Sequence, residues 1–502
     1  MTGKVLMVQG TMSSAGKSLL VTGLCRIYAR RGYRVAPFKA QNMSNNAAVC
    51  RDGSEIGRSQ YSQALACGIE PTAEMNPILL KPEADSRSQV VLMGHPKVTL
   101  PASEYYTQID DLWPYVTRSL NNLREKHDLV IIEGAGSPAE LNLKRGDIVN
   151  MAVAKYAQSP VLIAGDINLG GIFAQMLGTL WLLDDEERAL VKGLLVNKFR
   201  GDSDLFTEGV HILEDRGGVP VIGVIPYIHH HIPEEDAVAV EGGSMGPSSV
   251  RGVDIVIIRL PRISNFDDFD PLEMESGVNI RYVESPERLG KPDAIILPGT
   301  KSTISDLEWL RQNGLADSIQ DFSRNGGAVV GICGGYQMLG TGIQDPNHIE
   351  SSADHVCGLG VLPVQTVFDG EKATHQVQAS IHGEVTWLVE LQGESISGYE
   401  IHNGCTHGEY SSTWLHIIRR GNFPTSVEDG AISQDGRIWG CYLHGLFDNC
   451  TFRRRWLSSL GWKHNLEVVN FDRSNPEFYD EFADQVVAAL DMELLDEIVG
   501  LQ

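Results

Sequence analysis

The chain has 502 residues, a formal net charge of −24 and eight cysteines. Its length exceeds what one hydrophobic core accommodates and predicts about two to four domains. The negative charge argues against nucleic acid and anionic membranes as partners, and cysteines without a CxxC pair indicate reduced thiols. No stretch of about 18 apolar residues is present, and the first residues do not read as a signal peptide. We therefore expect a cytoplasmic protein.

Short apolar runs alternate with helical patterns in the first half of the chain. The predicted strands cover residues 4–10, 33–40, 128–136, 160–167, 193–199 and 219–227. Between the first two of them, residues 17–32 place Leu20, Leu24 and Ile27 on one helical stripe. Continuous, β-branched-rich runs of this kind are typical of parallel strands that are covered on both faces.

A second series of the same kind begins after residues 241–252. That segment contains Gly, Ser and Pro but almost no apolar side chains, and we interpret it as a linker. Further predicted strands follow at residues 253–260, 279–284, 293–300 and 327–335. The pattern predicts an α/β fold with two doubly wound domains, residues 1–240 and 253–502.

The first predicted strand runs directly into GTMSSAGKS, residues 10–18. Backbone N–H groups of such a loop bind phosphate, Lys17 would contact the β- and γ-phosphates of ATP, and Ser18 would ligate Mg²⁺. Glu133 ends an apolar run and is the best second metal ligand, with Asp166 a weaker one of the same kind. The candidate ATP-binding residues are Gly10, Thr11, Gly16, Lys17, Ser18 and Asn197.

Alternative interpretations of these residues remain open. A Gly-Ser turn that opens an ordinary helix would also explain the loop, and Glu133 would also suit the cap of a turn. Asn197 would recognise the adenine edge, or it would only form a turn. The loop is one residue longer than the usual G-x-x-x-x-G-K-[ST], and this long form resembles dethiobiotin synthetase and related ATP-dependent amidases. The resemblance implies that ATP phosphorylates a carboxylate.

In the second half, GICGGYQMLG (331–340) follows an apolar strand and precedes a helical pattern. A cysteine between small residues at this junction is typical of a nucleophile elbow, so Cys333 is the candidate nucleophile. His444 ends another apolar run and is the candidate base, although a single His is more often structural. Backbone N–H groups near Gly299, Thr300 and Gly334 would bind an oxyanion, unless LPGTKST (297–303) is a simple turn.

These pieces resemble a class I, triad-type glutamine amidotransferase domain. The usual motif is His-x-Glu, in which the Glu orients the imidazole, but here Leu446 stands in that place. Either the site works as a Cys–His dyad or another group substitutes. GYEIHNG (398–404) offers Glu400, with His402 beside it, as a possible orienting group.

The chain resembles the cobyric acid synthase family across essentially its whole length. The segments that carry the resemblance are FKAQNMSNNA (38–47), MNPILLKP (75–82), LPGTKST, GICGGYQMLG, GYEIHNG and YLHGLFDN (442–449). It implies ATP- and glutamine-dependent amidation of the b, d, e and g carboxylates of adenosylcobyrinic acid a,c-diamide, giving adenosylcobyric acid in cobalamin biosynthesis. A corrinoid, L-glutamine, ATP and Mg²⁺ would take part, without a protein-bound redox cofactor. Cobyrinate a,c-diamide synthase, or another glutamine-dependent amidase, is the alternative.

A corrinoid with several carboxylates requires local cations and hydrogen-bond donors on an acidic protein. Lys39 and Lys81 rank first because each lies in a family-like segment, and a solvated surface is the rival explanation. Asp147 would position the carboxylate or the metal, or it would cap a helix. The candidate substrate-binding residues are Lys39, Asn42, Asn45, Asn46, Lys81 and Asp147, followed by Arg58, Arg87, Lys144 and Arg145.

Overall fold

The computed structural model describes residues 2–83, 87–233, 235, 252–408, 413–463 and 472–501. Of the predicted linker, only Gly252 is among them, and residues 241–251 lie outside the described residues. The domain boundaries at 240 and 252 therefore stay a prediction.

The first part of the chain contains twelve strands and eight helices within the described residues. The strands are β1 (Lys4–Gly10), β2 (Val35–Phe38), β3 (Gln41–Met43), β4 (Ala47–Val49), β5 (Glu55–Gly57), β6 (Ile78–Pro82), β7 (Arg87–Leu92), β8 (His95–Pro101), β9 (Leu129–Glu133), β10 (Val161–Asp166), β11 (Val191–Phe199) and β12 (Val221–Pro226). The helices are α1 (Lys17–Arg30), α2 (Arg58–Ala66), α3 (Ala102–Tyr105), α4 (Ile109–Lys126), α5 (Met151–Ala157), α6 (Ile172–Leu182), α7 (Asp185–Leu190) and α8 (Thr207–Gly217).

Six of these strands form a parallel sheet in the order β12-β11-β10-β1-β9-β2. We call this sheet, together with the helices and smaller strands that the chain forms between its strands, the first domain. Alternate residues of β1 face opposite hydrophobic cores: Val5 and Met7 contribute to one, Leu6 and Val8 to the other. A strand that is buried on both faces needs apolar residues at every position, which explains the continuous runs of the sequence. Because β1, β9 and β10 are parallel neighbours, their carboxyl ends meet at one edge of the sheet.

A smaller sheet, in the order β3-β6-β7-β8, and the hairpin β4-β5 lie between β2 and α4 in the chain. The residues of β6 alternate between two environments: Ile78 and Leu80 join the core of the first domain, whereas Leu79 packs with Tyr399 and Ile401 from the second half of the chain. This small sheet therefore forms the face of the first domain that meets the second half of the chain.

The remainder of the chain also contains twelve strands and eight helices within the described residues. The strands are β13 (Val253–Ile258), β14 (Val278–Val283), β15 (Ala294–Leu297), β16 (Ala328–Ile332), β17 (Gly342–Gln344), β18 (His355–Cys357), β19 (Gln365–Ile381), β20 (Ser395–His407), β21 (Leu415–Arg420), β22 (Phe423–Asp429), β23 (Ala431–Ile432) and β24 (Ile438–Cys441). The helices are α9 (Asp270–Glu273), α10 (Thr303–Gln312), α11 (Leu315–Arg324), α12 (Gly334–Leu339), α13 (Thr386–Val389), α14 (Cys450–Ser459), α15 (Asp480–Ala488) and α16 (Met492–Val499).

The second domain is built on a sheet in the order β14-β13-β15-β16-β24-β23, parallel except for β23. Helices cover this sheet, and a largely antiparallel sheet in the order β18-β17-β19-β21-β22, with β20 paired to β19, flanks it. The predicted α/β fold class with two doubly wound domains is confirmed. The flanking sheet was not part of the prediction.

The last two helices belong to the first domain. Phe482 and Val486 of α15 and Leu495 of α16 are buried in the hydrophobic core that contains α1. Arg26 of α1 forms an ion pair with Asp480 at 2.7 Å. Residues 253–502 therefore do not all pack as one body: the chain returns to the sheet where it began, and sequence periodicity gave no sign of this return.

Candidate active sites

The predicted elbow is a tight turn between β16 and α12. Cys333 has φ 52° and ψ −112°, a positive φ that residues with a side chain rarely adopt. The turn is possible because its neighbours are glycines: a Cβ on Gly335 would lie 2.0 Å from Leu297 O, and one on Gly331 would lie 2.7 Å from Tyr336 Cα. This geometry holds the thiol of Cys333 at the carboxyl edge of the sheet, 3.4 Å from Ile401 O.

The imidazole of His444 lies next to this thiol and is 1% exposed. Its Nδ1 is 2.6 Å from Oδ2 of Asp268, and the other carboxylate oxygen of Asp268 accepts a hydrogen bond from Gly445 N at 2.8 Å. Burial alone would lower the pKa of His444, but the Asp268 carboxylate and the hydrogen bond with Cys333 outweigh it and raise the pKa to about 10. Cysteine, histidine and aspartate thus form a connected triad.

Asp268 is the group that takes the place of the missing glutamate, and the proposal of Glu400 was wrong in this respect. The Glu400 carboxylate accepts a hydrogen bond from Arg420 at 3.1 Å and lies 3.5 Å from Nε2 of His402. Glu400 lies in β20, whereas Asp268 lies in a 3₁₀ turn, Phe266–Phe269, and precedes His444 by 176 residues. Sequence spacing cannot reveal such a partner, because the segment that carries it is rich in acids and lies far from the motif.

The loop after β15 packs directly on the elbow. A Cβ on Gly299 would lie 2.9 Å from Cε1 of His444, and a Cβ on Gly334 would lie 3.3 Å from the Thr300 nitrogen. The Thr300 hydroxyl donates to the Asp306 carboxylate and fixes the loop. The structure therefore brings Gly299, Thr300 and Gly334 together around Cys333, where an oxyanion would form.

A cavity of about 40 Å³ opens beside Cys333 at the boundary between the domains. Lys81 of the first domain and Lys372 of the second both line it, and both pair with the buried carboxylate of Glu55, Lys372 at 2.5 Å. Burial lowers the pKa of Lys372 to about 8 despite the attraction of Glu55. Glu350 also lines the cavity, and burial raises its pKa to about 7.

The phosphate loop of the first domain connects β1 to α1 as predicted. Lys17 donates to the carbonyl oxygens of Met12 at 2.8 Å and Gly136 at 3.1 Å, which holds the ammonium inside the loop. Gly16 has φ +87°, and a Cβ there would lie 2.3 Å from Nδ2 of Asn197. Asn197 donates to Ala15 O at 2.9 Å, so it supports the loop from the end of β11.

Three oxygen-bearing side chains converge at the start of α1. The Ser18 hydroxyl lies 2.8 Å from Oε1 of Glu133 and 2.8 Å from Oε2 of Glu235. Hydroxyl and carboxylate oxygens are the ligands that Mg²⁺ prefers, so this donor set fits the metal. Lys39 Nζ lies 2.8 Å from each carboxylate; burial would lower the pKa of Lys39, but the two acids outweigh this and raise it. The sequence had not singled out Glu235.

Asp166, the weaker metal candidate, has other partners. Its carboxylate accepts a hydrogen bond from Asn168 N at 2.9 Å and pairs with Lys198 at 3.0 Å. These contacts are those of a turn at the end of β10, which favours the structural interpretation of this residue.

Two larger cavities flank the phosphate loop, and Ser13 lines both of them. One, of about 660 Å³, contains Gly16, Lys17, Ser18 and Asn197 and has the size of a nucleotide site. The other, of about 340 Å³, is lined mainly by apolar side chains, with Met43 and Leu143 of its walls 55% and 43% exposed.

The predicted substrate-binding residues do not form one cluster in the structure. Asp147 lines the apolar cavity, and its carboxylate accepts hydrogen bonds from the nitrogens of Val149, Asn150 and Ala152, as expected for a cap of α5. Lys144 lines the same cavity and pairs with Glu187 at 2.7 Å. Three further groups lie outside it: Lys39 is at the carboxylates beside Ser18, Asn42 donates to Gln60, and Asn45 and Asn46 lie in the loop before β4. Lys81 pairs with Glu55, and Asn46 accepts from Phe266 N at the domain boundary.

Comparisons with known proteins match a different family model to each half of the chain. A model of the CobQ/CobB/MinD/ParA nucleotide binding domain matches residues 6–236, and a model of the CobB/CobQ-like glutamine amidotransferase domain matches residues 254–452. A cobyric acid synthase from Chloroflexus aurantiacus is 53% identical over 99% of this chain and 100% of its own length. One from Dehalococcoides mccartyi is 48% identical over 99% of both. The chain belongs to the cobyric acid synthase family.

A solved structure, that of PurLQS from Thermotoga maritima, is 18% identical with a TM-score of 0.33 and covers 42% of this chain and 98% of its own. Membership of the cobyric acid synthase family makes the protein a glutamine amidotransferase ligase of cobalamin biosynthesis, with ATP, glutamine and a corrinoid as its small-molecule partners. Among the described residues, no helix has the length and apolar character that crossing a bilayer requires.

Proposed function

We propose that this enzyme amidates the b, d, e and g carboxylates of adenosylcobyrinic acid a,c-diamide and so produces adenosylcobyric acid. Each cycle would consume one ATP and one glutamine. The observation that carries the proposal is the apolar cavity beside the phosphate loop: it shares Ser13 with the nucleotide cavity, so a carboxylate inside it would meet the γ-phosphate. Its apolar walls suit the methyl groups and the ring edge of a corrinoid, whose carboxylate side chains would enter one at a time.

In the second domain, Cys333 would attack the side-chain carbonyl of glutamine and form a glutamyl thioester. His444 takes the thiol proton and transfers it to the departing ammonia, and afterwards it activates water for hydrolysis of the thioester. Asp268 keeps Nδ1 of the imidazole protonated, so that Nε2 is the atom that exchanges protons. Backbone N–H groups near Thr300 and Gly334 stabilise the oxyanion.

In the first domain, a carboxylate of the corrinoid would be converted into an acyl phosphate, because a free carboxylate is a poor electrophile for ammonia. Lys17 binds the transferring phosphoryl group, and the backbone of the loop binds the remaining phosphates. Ser18, Glu133 and Glu235 would hold Mg²⁺, which neutralises phosphate charge when bound. Lys39 keeps the two acids close together until then.

The position of the small sheet supports transfer of ammonia between the two sites. Lys81 of β6 lines the cavity at Cys333, whereas its neighbour Leu80 lines the apolar cavity. Adjacent residues of a strand face opposite sides. Only the thickness of strand β6 would therefore separate the cavity at Cys333 from the apolar cavity, and ammonia would have a short distance to travel.

The experiment that tests this proposal uses ATP, Mg²⁺ and glutamine labelled with ¹⁵N at its side-chain amide. Cobyrinic acid, its a,c-diamide and adenosylcobyrinic acid a,c-diamide are offered separately, and the products are analysed by mass spectrometry. Stepwise incorporation of four labels into a diamide supports the proposal. Amidation of cobyrinic acid only at a and c would instead support cobyrinate a,c-diamide synthase, and no labelling of any corrinoid would refute both.

A further inference from the structure

Arg58 connects the first domain to the catalytic triad of the second. It is the first residue of α2, and its side chain is 10% exposed. Its Nη2 lies 2.7 Å from the Tyr399 hydroxyl and 2.9 Å from Oδ2 of Asp267. We propose that Arg58 is a positioning residue for glutamine hydrolysis, supplied by the ATP-binding domain to the glutaminase site.

Both partners of Arg58 touch the triad directly. Tyr399 stacks on the imidazole of His444 with ring centroids 5.2 Å apart and an interplanar angle of 18°. The backbones of these two residues also exchange hydrogen bonds of 2.8 and 3.1 Å. Asp267 immediately precedes Asp268, the acid that orients His444. A shift of Arg58 would therefore move the face of the catalytic base and the peptide that carries its orienting acid.

Other polar and charged side chains also contact the two partners of Arg58. Asn265 also donates to the Tyr399 hydroxyl at 2.7 Å, and Arg473 is the second cation at Asp267, at 3.2 Å. Asp270 and Asp448 are the further acids near Arg473. Removal of Arg58 leaves Asp267 with one of its two cations in a buried site, where an uncompensated charge is costly.

The same helix reaches the nucleotide site at its other turns. Gln60 and Gln63 donate to Oε2 of Glu133 at 3.2 and 2.6 Å, and Gln63 also donates to the Ser18 carbonyl. Nine residues of α2 thus connect a proposed Mg²⁺ ligand with the glutaminase triad. The consequence rests on the proposed function: binding of Mg²⁺ and ATP at Glu133 would change the rate of glutamine hydrolysis, and α2 and Arg58 would transmit this effect.

The first test measures glutamine hydrolysis without ATP, which makes it independent of the synthetase reaction. We expect Arg58→Met to lower kcat about 3- to 30-fold with little change in KM, and Arg58→Lys to lie between this variant and the wild type. The matched control is Arg51→Gln, which removes another contact across the same boundary, Arg51 Nε to Asn422 at 3.1 Å, away from the triad. This control should retain the wild-type rate.

A second readout separates positioning from a general loss of structure. The rate of Cys333 alkylation is measured against pH, since it reports the Cys333–His444 proton equilibrium, and ammonia-dependent amidation reports the folded synthetase. Arg58→Met should shift the alkylation profile and keep ammonia-dependent amidation. A wild-type profile and kcat in this variant would overturn the proposal, as would a joint loss of both activities.

The link to the nucleotide site is tested by the ratio of kcat values with and without Mg²⁺ and ATP. The wild type should show a ratio different from one, and Arg58→Met should bring it close to one. A wild-type ratio of one would overturn the link through α2, whereas the effect of Arg58 on the basal rate would still support its positioning role.

Discussion

Replacement of Asp268 by asparagine tests the triad most directly. One oxygen of Asp268 accepts a hydrogen bond from Gly445 N at 2.8 Å, and the other lies 2.6 Å from Nδ1 of His444. The backbone donor fixes the orientation of the new amide, whose oxygen must stay at Gly445 and whose NH₂ group must then face Nδ1. Because that group only donates, His444 would carry its proton on Nε2 and would no longer accept one from Cys333.

The expected loss follows from the electrostatics of the pair. With Asp268 in place, the pKa of His444 rises from 6.5 to about 10 although burial acts in the opposite direction. At about 1.4 kcal/mol per unit, this corresponds to a stabilisation of the imidazolium of roughly 5 kcal/mol at most. The tautomer that the introduced amide imposes adds to this loss, and we expect kcat for glutamine hydrolysis to fall about 10²- to 10⁴-fold.

The assay measures glutamate release from glutamine, and amidation with ammonium chloride in alkaline buffer confirms that the synthetase site is intact. Glu400→Gln is the matched control: it is another buried acid changed to its amide, but its partners are Arg420 and His402. We expect this control to stay within about threefold of the wild type. Asp268→Asn with a kcat close to that of the wild type, or Glu400→Gln with the larger loss, would refute the assignment of the triad.

Four further predictions follow from the two sites. Because the Asp268 carboxylate raises the pKa of His444 to about 10, the imidazole should stay protonated from about pH 6 to 9 when its titration is followed by NMR, whereas in Asp268→Asn it should lose its proton within that range; identical titrations would contradict this. Cys333→Ala should abolish glutamine-dependent but not ammonia-dependent amidation, and loss of both would argue against the division of labour. Glu235→Gln should raise the Mg²⁺ concentration required for half-maximal ammonia-dependent amidation about tenfold, and an unchanged requirement would exclude Glu235 as a ligand. Leu495→Ala should lower the free energy of unfolding by about 2–5 kcal/mol, with exposed Glu497→Ala as the control, and an unchanged stability would contradict the packing of α16 on the first domain.

The phosphate loop and the nucleophile elbow were predictable because each is a local event. A strand, a glycine-rich turn and a helix follow one another within a few residues, and the chemistry requires Lys17 or Cys333 at a fixed place in the turn. His444 was predictable in combination with the elbow, since it follows closely after β24, the strand that pairs with the one before Cys333. The glycines that crowd these turns are visible in the sequence as well.

The sequence did not reveal those partners of the site residues that are distant along the chain. Asp268 lies in an acidic segment with no spacing relation to His444, and Glu235 joins Ser18 from more than two hundred residues away. Asn46 and Lys81 lie in family-like segments, which suggested substrate binding, yet their contacts are at the domain boundary. A polar side chain in a functional segment looks the same in sequence whether it binds a ligand or another domain.

The return of α15 and α16 to the first sheet means that the glutaminase is an insertion within the synthetase, with the polypeptide crossing between the two bodies twice. A gene divided at residue 250 would therefore not produce two independent enzymes. Its N-terminal product would lack α15, whose Phe482 and Val486 pack on α1 at Gly23, and would expose that apolar face. Two crossings also restrict the rotation of one body against the other, and in the proposed reaction this would keep the site of ammonia release facing the site of its use.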